Sequence, residues 1–416
     1  MQAHKKKYSA VFIGAGAAGI FAANRYAALS SGGSILVLER SQDPLSKLKI
    51  SGGGRCNVTN SCFDIRELAK NYPRGHRELI GPFSVFQPSD MIEWLRSRGV
   101  ELKTEEGGRV FPVTDSSQTI IDCLLDEAND LGVSINYNSS VKEIKHEKDG
   151  GFFIRLQDGE VLCAEAIMLA TGSGGDGYRL AASLGHRVIT PIPSLFTFNI
   201  PKFSLRDLSG VSVEDVVISL PKLKIKQRGP LLITHWGFSG PAALKLSAWG
   251  ARDLHDMSYL TTCVIDWIPE VSEKKLRILL EEKSVCCPKK SLSNSPIVNS
   301  IPKKLWETLL SLSGVDIALR WNDVSKKAKE RILQRLKYDS HRISGKTVFK
   351  QEFVTCGGVD LSEVNFKSME SKKVPGLFFG GEILDIDGIT GGFNFQAAWT
   401  TGYIAGSAMS SAGDSL

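Results

Sequence analysis

Three glycines near the start of the chain have the spacing of a turn that holds a pyrophosphate. Gly14, Gly16 and Gly19 follow an apolar segment at residues 8–13 and open a helix-like run. The first glycine permits a tight turn, the second lets phosphate oxygens approach the backbone, and the third lets helix and strand pack closely. The helix N-terminus adds unpaired N–H groups and the positive end of a dipole. The motif therefore predicts a bound dinucleotide.

An acidic residue at the end of the next apolar segment narrows the choice of dinucleotide. Glu39 ends residues 34–39 and lies twenty positions after Gly19. A carboxylate at this point accepts hydrogen bonds from the ribose hydroxyls of an adenosine and repels a 2′-phosphate. NADP is therefore disfavoured in this pocket, and NAD and FAD remain.

Short strands at residues 133–170 favour FAD over NAD. The turn signals KDGG and QDGE separate strand-like segments such as the one that begins at Val141, and the last segment ends in LATG. FAD enzymes place an insert of this kind between the halves of their dinucleotide-binding domain. Thr171 and Gly172 would then return the chain to the adenine half of the cofactor.

The C-terminal region adds a second glycine-rich helix start. An apolar strand ends in Gly380-Gly381-Glu382, a loop with Asp385 follows, and Gly391-Gly392 open a helix that runs to about Met409. A helix N-terminus aimed at the N1–C2=O edge of a flavin would stabilise the negative charge that develops there on reduction. This pattern strengthens the prediction of FAD.

Residues 50–60, ISGGGRCNVTN, place three consecutive glycines before Arg55, Cys56 and Asn57. Glycine loses more backbone entropy on folding than any other residue. Two interpretations compete for this stretch. It is either a flexible surface turn or a backbone segment that must approach a large ligand closely.

Composition excludes several classes of protein. The 416 residues suit two or three domains, and 42% hydrophobic with 23% charged residues is ordinary for a globular chain. No apolar run approaches the roughly 20 residues that span a bilayer. The eight cysteines form no CxxC pair and no zinc ladder, so we expect no metal site and a reducing compartment.

The first strand begins within about ten residues, without room for a signal peptide. We expect a cytoplasmic location, although a processed organellar form remains open.

Positive charge is concentrated in one segment. Residues 271–350 contain 18 Lys and Arg against 8 Asp and Glu, or +10, whereas the whole chain carries +6. The rest of the chain therefore sums to −4. This excess is either a set of solvated helix faces or a surface for an anionic ligand or nucleic acid.

Several motifs resemble one known family. SGGGRCNVTN, GGRVFPVTD, LLITHWGFSGPAAL, FVTCGGVDLSEV and GGEILDIDGITGGFNFQAAWTTGYIAG are similar to motifs of the NAD(P)/FAD-dependent oxidoreductases of the BaiN/YhiN type, also called the aminoacetone oxidase family of FAD-binding enzymes. The resemblance runs from about Tyr8 to Met409. The chain departs from the family where ATG passes directly into SGGDGY, since members usually carry a longer loop there.

The resemblance implies an α/β fold: a Rossmann-like FAD-binding domain of the glutathione-reductase superfamily, related to the fumarate reductase flavoproteins, with an inserted β-barrel and helical domain. Together with the composition it predicts three segments. The FAD-binding domain would comprise residues 1–190 and 346–416. The insertion would span 191–345, with a β-barrel at about 191–265 and helices at about 270–340.

The resemblance also implies roles for individual residues. The loop of Gly52, Gly53 and Gly54 would run along the pyrophosphate and ribityl chain, where a Cβ would collide with FAD. Arg55 would balance phosphate charge or hold the loop, and Asn57 would hydrogen-bond within it. The predicted FAD-binding residues are Gly14, Gly16, Ala17, Ala18, Gly19, Glu39, Arg40, Ser51, Gly52, Gly53, Gly54, Arg55, Cys56, Asn57, Val141, Thr171, Gly172, Gly381, Glu382, Asp385, Gly391, Gly392, Phe393 and Asn394.

Three residues are candidates for catalysis. His235 could act as an acid or substrate anchor, and Arg109 could bind a substrate carboxylate, although a structural histidine and a salt-bridged arginine are the alternatives. Cys56 is the candidate redox residue, but it lacks a second cysteine at CxxC spacing.

The sequence predicts an FAD-dependent oxidoreductase. We expect NAD(P)H to reduce the flavin transiently, because no second GxGxxG follows a strand and opens a helix. Hydride would then pass to a small organic acceptor, such as an activated C=C bond. Two alternatives remain: a flavin-dependent RNA-modifying protein that uses the basic segment, and a non-catalytic FAD-binding sensor. The sequence leaves the oligomeric state open.

Overall fold

The computed structural model describes residues 6–30, 32–147, 150–347 and 354–413. The chain divides into two compact units. The first comprises residues 1–192 and 350–416, and the second comprises residues 193–349.

The described residues contain thirteen α-helices and twenty-one β-strands. The helices are α1 (Ala17–Leu29), α2 (Ser46–Gly54), α3 (Ile65–Ala69), α4 (Ile80–Val85), α5 (Pro88–Arg96), α6 (Ser117–Asp130), α7 (Gly175–Ser183), α8 (Pro241–Trp249), α9 (Ala251–Asp256), α10 (Glu273–Cys286), α11 (Lys303–Leu312), α12 (Lys326–Lys337) and α13 (Phe393–Gly413). The strands are β1 (Lys6–Ile13), β2 (Ile35–Leu38), β3 (Thr59–Asn60), β4 (Leu102–Thr104), β5 (Arg109–Pro112), β6 (Ser134–Asn136), β7 (Val141–His146), β8 (Phe152–Leu156), β9 (Val161–Leu169), β10 (Val188–Ser194), β11 (Thr197–Asn199), β12 (Ser212–Leu220), β13 (Ile225–Ile233), β14 (Gly237–Ser239), β15 (Thr261–Asp266), β16 (Asp339–Ile343), β17 (Gly345–Thr347), β18 (Val354–Val359), β19 (Val364–Asn365), β20 (Glu370–Ser371) and β21 (Leu377–Phe379).

A Rossmann-like sheet forms the centre of the first unit. Its strand order is β19-β20-β21-β9-β1-β2-β6, in which β21, β9, β1, β2 and β6 run parallel to one another and β20 is antiparallel to β21. The middle strands are continuously apolar because helices cover both faces of a parallel sheet: all four residues of β2 and the last four of β1 are buried. The carboxyl ends of β1, β9 and β21 therefore meet at one edge, where ligands of such sheets bind.

A hairpin joins this sheet where the sequence predicts short strands. β7 pairs with β8 and β8 with β9, both antiparallel, and β9 then enters the parallel sheet beside β1. Residues 148–149 of the predicted KDGG turn lie outside the described residues. The QDGE turn is closed by a hydrogen bond from Gly159 N to Leu156 O at 3.2 Å.

The second unit contains a seven-stranded sheet and a helical group. The strand order is β16-β15-β12-β13-β14-β11-β17. Its two edge strands, β16 and β17, are separated in sequence by Ser344 alone. One extended segment, 339–347, therefore pairs at its start with β15 and at its end with β11, so that it joins both edges of the sheet. This is the hydrogen-bonding pattern of a barrel-like sheet.

The helical group of the second unit includes α10, α11 and α12. α10 and α12 each begin after a serine N-cap, Ser272 and Ser325, whose side chain accepts a hydrogen bond from a first-turn N–H. Trp267, Trp306 and Trp321 are fully buried in the core of the unit. No helix in the described ranges is both long and apolar enough to cross a membrane.

Candidate functional site

The turn between β1 and α1 has the geometry that its glycines predict. Gly14 has φ +109°, and a Cβ there would lie 2.5 Å from the backbone oxygen of Ala170 on the neighbouring strand. A Cβ on Gly19 would lie 1.9 Å from Gly14 O. Real Cβ atoms do not approach oxygen this closely, so both positions require glycine for the turn itself.

Replacement of Gly19 by alanine is expected to unfold this turn. The added methyl group would overlap a backbone oxygen that belongs to the same turn and cannot swing aside. We expect a loss of about 3 kcal/mol or more in the free energy of unfolding. Chemical denaturation monitored by circular dichroism measures it. Gly81→Ala is the matched control, because a Cβ on this helical glycine meets no atom within 4 Å; equal stability of the two variants would contradict the close packing.

Gly16 differs from its two neighbours because the protein does not fill the space beside it. Its φ is −86°, and an added Cβ would meet no protein atom within 4 Å. Gly16 is also the N-cap of α1, without a side-chain cap hydrogen bond and without an acidic residue in the first turn. Ala17 and Ala18 follow as the first residues of the helix. The unpaired N–H groups of this first turn and the open space beside Gly16 form a cradle suited to a phosphate.

Glu39 lies beside this cradle. Its Oε2 accepts a hydrogen bond from Ala15 N at 2.9 Å, and its Oε1 accepts from Ser41 N at 2.9 Å and Ser41 Oγ at 2.8 Å. These bonds hold the carboxylate at the turn, where a ribose would follow the pyrophosphate. The predicted neighbour Arg40 is largely exposed and pairs with Asp176 at 3.8 Å.

A second group of predicted residues gathers at the same edge of the sheet. Thr171 follows β9, and its Oγ1 is buried with no hydrogen-bond partner in the described part of the chain. A Cβ on Gly381 would lie 3.0 Å from the Cβ of Ala18, and one on Gly172 would lie 4.0 Å from Glu382 Oε2. The carboxyl ends of β1, β9 and β21 thus bring separate motifs together. The space that the protein leaves beside Gly16 and the buried Thr171 hydroxyl without a partner in the described residues fit a bound dinucleotide.

Backbone conformation explains the three glycines at 52–54. Gly52, Gly53 and Gly54 have φ values of +57°, +71° and +84°, which residues with a Cβ rarely adopt. The segment closes with a hydrogen bond from Cys56 N to Ser51 O at 3.0 Å. A Cβ on Gly53 would meet no protein atom within 4 Å. The left-handed turn alone accounts for the glycines, and a collision with FAD stays a prediction.

Arg55 holds this loop in place. Its guanidinium pairs with Glu105, donates from Nε to Asp115 Oδ1 at 2.7 Å and lies 4.2 Å from the ring centroid of Phe111. The hydrogen bond from Arg55 keeps the pKa of the half-buried Glu105 carboxyl below its usual value. Of the two roles predicted for Arg55, the contacts favour holding the loop over balancing phosphate charge.

The structure argues against a redox role for Cys56. The residue is 0% exposed, and burial raises the pKa of its thiol to about 12. A thiol with this pKa is protonated at neutral pH, whereas the thiolate is the nucleophile. Contact of Cys56 with FAD, through its position in the glycine loop, stays a prediction.

Thiol labelling is expected to separate Cys56 from the exposed Cys286. Iodoacetamide should modify Cys286 in the native protein at neutral pH and leave Cys56 unmodified until denaturant is added. Burial blocks access of the reagent to Cys56, and the raised pKa of its thiol also slows modification, because little thiolate forms until the pH approaches 12. Peptide mass spectrometry measures both sites. Modification of Cys56 at the rate of Cys286 would restore it as a redox candidate.

Two asparagines connect the glycine loop to the start of α13. The Asn57 amide donates to Thr59 O at 3.0 Å and accepts from Gly392 N at 3.0 Å. Asn60 Nδ2 donates to Gly391 O and to Gly107 O, both at 3.0 Å. Residues far apart in sequence therefore share one hydrogen-bonded cluster beside the second helix N-terminus. Sequence reasoning missed Asn60, although it lies in the same motif as Asn57.

The loop before α13 is held by its own polar residues. Asp385 Oδ1 accepts from Gly357 N at 2.7 Å, and Asn394 exchanges two hydrogen bonds with Gly388, at 2.8 and 2.9 Å. These predicted FAD-binding side chains therefore contact the protein backbone. Of the other predicted residues, Phe393 begins α13, and Val141 is buried at the start of β7.

Two ion pairs at this site were not predicted. Lys47 of α2 pairs with Glu382 and donates to Ser173 Oγ at 3.0 Å. Arg74 pairs with Asp387, whose side chain is 0% exposed. The sequence feature that could have indicated these pairs is a charged residue within an apolar or glycine-rich motif, because a buried charge requires a partner of opposite charge.

The remaining catalytic candidates are on the surface of their units. Arg109 pairs with Glu105 at 3.7 Å and donates to Glu106 O at 3.1 Å, as the salt-bridged alternative predicts. His235 is exposed in the turn between β13 and β14, with its ring centroid 3.9 Å from that of Trp236. His235 belongs to the second unit and Arg109 to the first, so the two roles stay predictions.

Known proteins share this fold across the whole chain. A flavocytochrome c3 fumarate reductase in its open conformation matches with a TM-score of 0.52 and 16% identity, covering 98% of this chain and 79% of the other. The 3-ketosteroid-Δ4-(5α)-dehydrogenase of Rhodococcus jostii RHA1 matches with a TM-score of 0.53 and 14% identity, covering 99% and 98%. These flavoenzymes establish the Rossmann-like FAD-binding fold.

Curated relatives align over nearly their full length. The ribosomal RNA dihydrouridine synthase of Escherichia coli (strain K12) is 30% identical, covering 96% of this chain and 97% of the relative. The 3-dehydro-bile acid delta(4,6)-reductase of Clostridium scindens is 29% identical, covering 95% and 97%. The ribosomal RNA dihydrouridine synthase of Haemophilus influenzae is also 29% identical, covering 94% and 96%.

The family model of the HI0933-like protein Rossmann domain matches residues 8–408. This match confirms the family resemblance drawn from the motifs and supports FAD as the dinucleotide. The chain therefore belongs to the HI0933-like family of FAD-binding oxidoreductases.

Proposed function

We propose that the protein is an FAD-dependent reductase of a C=C bond conjugated to a carbonyl group, with a uracil base in RNA as the acceptor and NAD(P)H as the reductant. The observation that carries this proposal is the full-length similarity to relatives whose reactions share one chemistry.

That shared chemistry follows from the products. Dihydrouridine is uridine whose C5=C6 bond, conjugated to the C4 carbonyl, has been reduced. A Δ4,6-reductase acting on a 3-oxo compound also reduces double bonds conjugated to a carbonyl. Each reduction adds hydride to a carbon that the conjugated carbonyl makes electrophilic, the β carbon of an enone or the δ carbon of a dienone, and a proton to a carbon of the resulting enolate. FAD, when bound, would supply the hydride, with a nicotinamide nucleotide as its source.

The contribution of the chain itself is binding and positioning. The N-terminus of α1 and the open side of Gly16 would hold the pyrophosphate, and Glu39 would accept the ribose hydroxyls. Asn57 and Asn60 fix the start of α13 against the glycine loop. The proton for the α carbon requires an acid, for which His235 remains the candidate. Arg109 remains a candidate substrate anchor only, since a guanidinium keeps its proton.

RNA is favoured over a steroid-like acceptor by the charge of the second unit. Residues 271–349 of this unit carry 17 Lys and Arg against 8 Asp and Glu, an excess of +9, which suits a polyanion such as RNA. Two alternative functions are distinguished by experiment. One is reduction of the small organic acceptor that the sequence predicts, and the other is a non-catalytic FAD-binding sensor.

The test is formation of dihydrouridine. The purified protein, loaded with FAD, is incubated anaerobically with NADPH or NADH and an unmodified ribosomal RNA transcript. Nuclease digestion and mass spectrometry should then show uridine that has gained two hydrogen atoms. Nicotinamide oxidation that requires a conjugated enone and produces no dihydrouridine would replace RNA by a small acceptor. No oxidation with either acceptor would contradict the proposed reductase.

A further inference from the structure

We infer that one end of the α10–α12 helix pair is the surface that binds the phosphate backbone of the RNA substrate. This inference rests on the proposed function. The surface, called here the basic end, consists of Lys289, Lys290, Arg320, Lys326 and Lys327.

The packing of the two helices brings these five residues together. α10 and α12 are antiparallel: the Tyr338 hydroxyl donates to Glu273 at 2.8 Å, Lys329 donates to Glu281 at 2.7 Å, and Ser284 donates to Trp321 O at 3.0 Å. The residues after α10 therefore lie beside the residues that precede α12.

Backbone pairing fixes the segments that carry the cations. Ser291 forms a β-bridge with Arg320. Trp321 N donates to Lys290 O at 3.1 Å, and Asn322 N donates to Pro288 O at 3.2 Å. Ser325 then caps α12, so the next two lysines occupy the first turn of that helix. The five positions thus belong to one continuous patch of backbone within the second unit.

The charge of the basic end is exposed and uncompensated. All five side chains belong to exposed residues, and none forms an ion pair in the described part of the chain. The segments 287–291 and 320–327 contain these five cations and one acidic residue, Asp323, so their net charge is +4.

The opposite end of the same helix pair is arranged differently. There Arg277 donates to Glu273 at 2.9 Å and to Glu330 at 3.0 Å. Lys337 pairs with Asp266 at 2.6 Å. Arg277 and Lys337 are thus matched by carboxylates and serve the fold, whereas Lys274 and Lys275 at this end are exposed and have no ion-pair partner among the described residues.

Helix stability does not explain the lysines at the start of α12. The first turn of a helix carries the positive end of the dipole, which favours acidic residues and disfavours cations. α12 has Lys326 and Lys327 in this turn and no acidic residue. An anion bound at this end would be attracted by the side chains and by the helix N-terminus together.

The buried tryptophans show how the RNA would be recognised. Trp306 and Trp321, the two tryptophans of the basic segment, are 1% and 0% exposed, and the exposed Tyr338 lies at the opposite end of the helix pair, beside Glu273. Their indole N–H groups donate to Leu292 O and Ser295 O at 2.8 and 3.1 Å. The basic end therefore contacts phosphates and does not read bases, and sequence selectivity must come from the site where uracil is reduced.

The experiment compares two matched double variants of the full FAD-loaded chain. Lys289→Gln/Lys290→Gln removes two charges from the basic end, and Lys274→Gln/Lys275→Gln removes two exposed charges from the opposite end of α10. A fluorescein-labelled RNA hairpin is titrated by anisotropy between about 50 and about 200 mM salt. Circular dichroism and flavin content verify the fold of each variant.

We expect the basic-end variant to weaken RNA binding about tenfold at the lowest salt and to reduce the slope of log K against log salt by about 1.5, as loss of two phosphate contacts requires. The control should stay within about twofold. Equal losses in both variants, or none in either, would overturn the inference. Binding to phosphatidylglycerol vesicles that depends on these lysines, without RNA binding, would overturn RNA as the partner.

Dihydrouridine formation on the same RNA separates this inference from the proposed function. No dihydrouridine, with the expected binding pattern, would contradict the reaction and leave the basic end standing. Dihydrouridine formed by the basic-end variant with wild-type kcat/KM would contradict the basic end and leave the reaction standing.

Discussion

The Gly16→Val variant is expected to fold normally and to lose FAD. The backbone at Gly16 has φ −86° and ψ −174°, which a β-branched residue adopts readily, and the position of the new Cβ meets no protein atom within 4 Å. Only a ligand in the cradle would be displaced. An overlap that costs about 3 kcal/mol lowers FAD affinity about 100-fold. Quenching of FAD fluorescence during titration of the apoprotein measures it.

The control for Gly16 is Gly81→Val, at a second glycine whose Cβ position meets no atom within 4 Å. This variant should keep the FAD affinity of the unmodified chain. The contrast with Gly19→Ala is equally informative, because that change should reduce stability before it affects the ligand. FAD affinity unchanged in Gly16→Val would show that the pyrophosphate does not occupy the cradle.

The Asp387→Asn variant is expected to be strongly destabilised. Asp387 is 0% exposed and pairs with Arg74, whose side chain is 15% exposed. Asn at position 387 removes the buried carboxylate that pairs with this largely buried guanidinium, and breaking a buried pair costs about 3–5 kcal/mol in the free energy of unfolding. The pair also anchors the loop that leads to Gly391, so FAD retention should fall as well. Urea denaturation with and without added FAD measures both effects.

The exposed pair Arg228–Asp215 is the matched control for Asp387. The two side chains are 56% and 41% exposed and form the same two-bond arginine–aspartate contact, at 2.6 and 2.7 Å. Asp215→Asn should therefore change the free energy of unfolding by less than about 1 kcal/mol. Equal costs for the two variants would contradict the assignment of Arg74–Asp387 as a buried structural pair.

The sequence predicts the dinucleotide turn well because its physical requirements are local. Gly14, Gly16, Gly19 and Glu39 lie within one strand–turn–helix–strand unit, where spacing alone specifies their roles. The serine caps of α10 and α12 are local signals of the same kind.

Other features depend on residues that the fold brings together from distant segments. Arg55 finds Glu105 and Asp115 after 50 and 60 residues, and Asn60 reaches Gly391 after 331. Nothing in the spacing of these residues specifies such pairs. For the same reason the sequence could not decide whether Arg55 holds the loop or meets a phosphate.

The most direct test of FAD-dependent oxidoreduction is the absorbance spectrum of the purified protein, reconstituted with FAD and then mixed anaerobically with NADH and, separately, with NADPH. Flavin bands that remain with the protein through gel filtration and bleach with one of the two nucleotides are the predicted result. Absence of flavin after reconstitution would contradict the account, because the cradle at Gly16 would then hold some other anion.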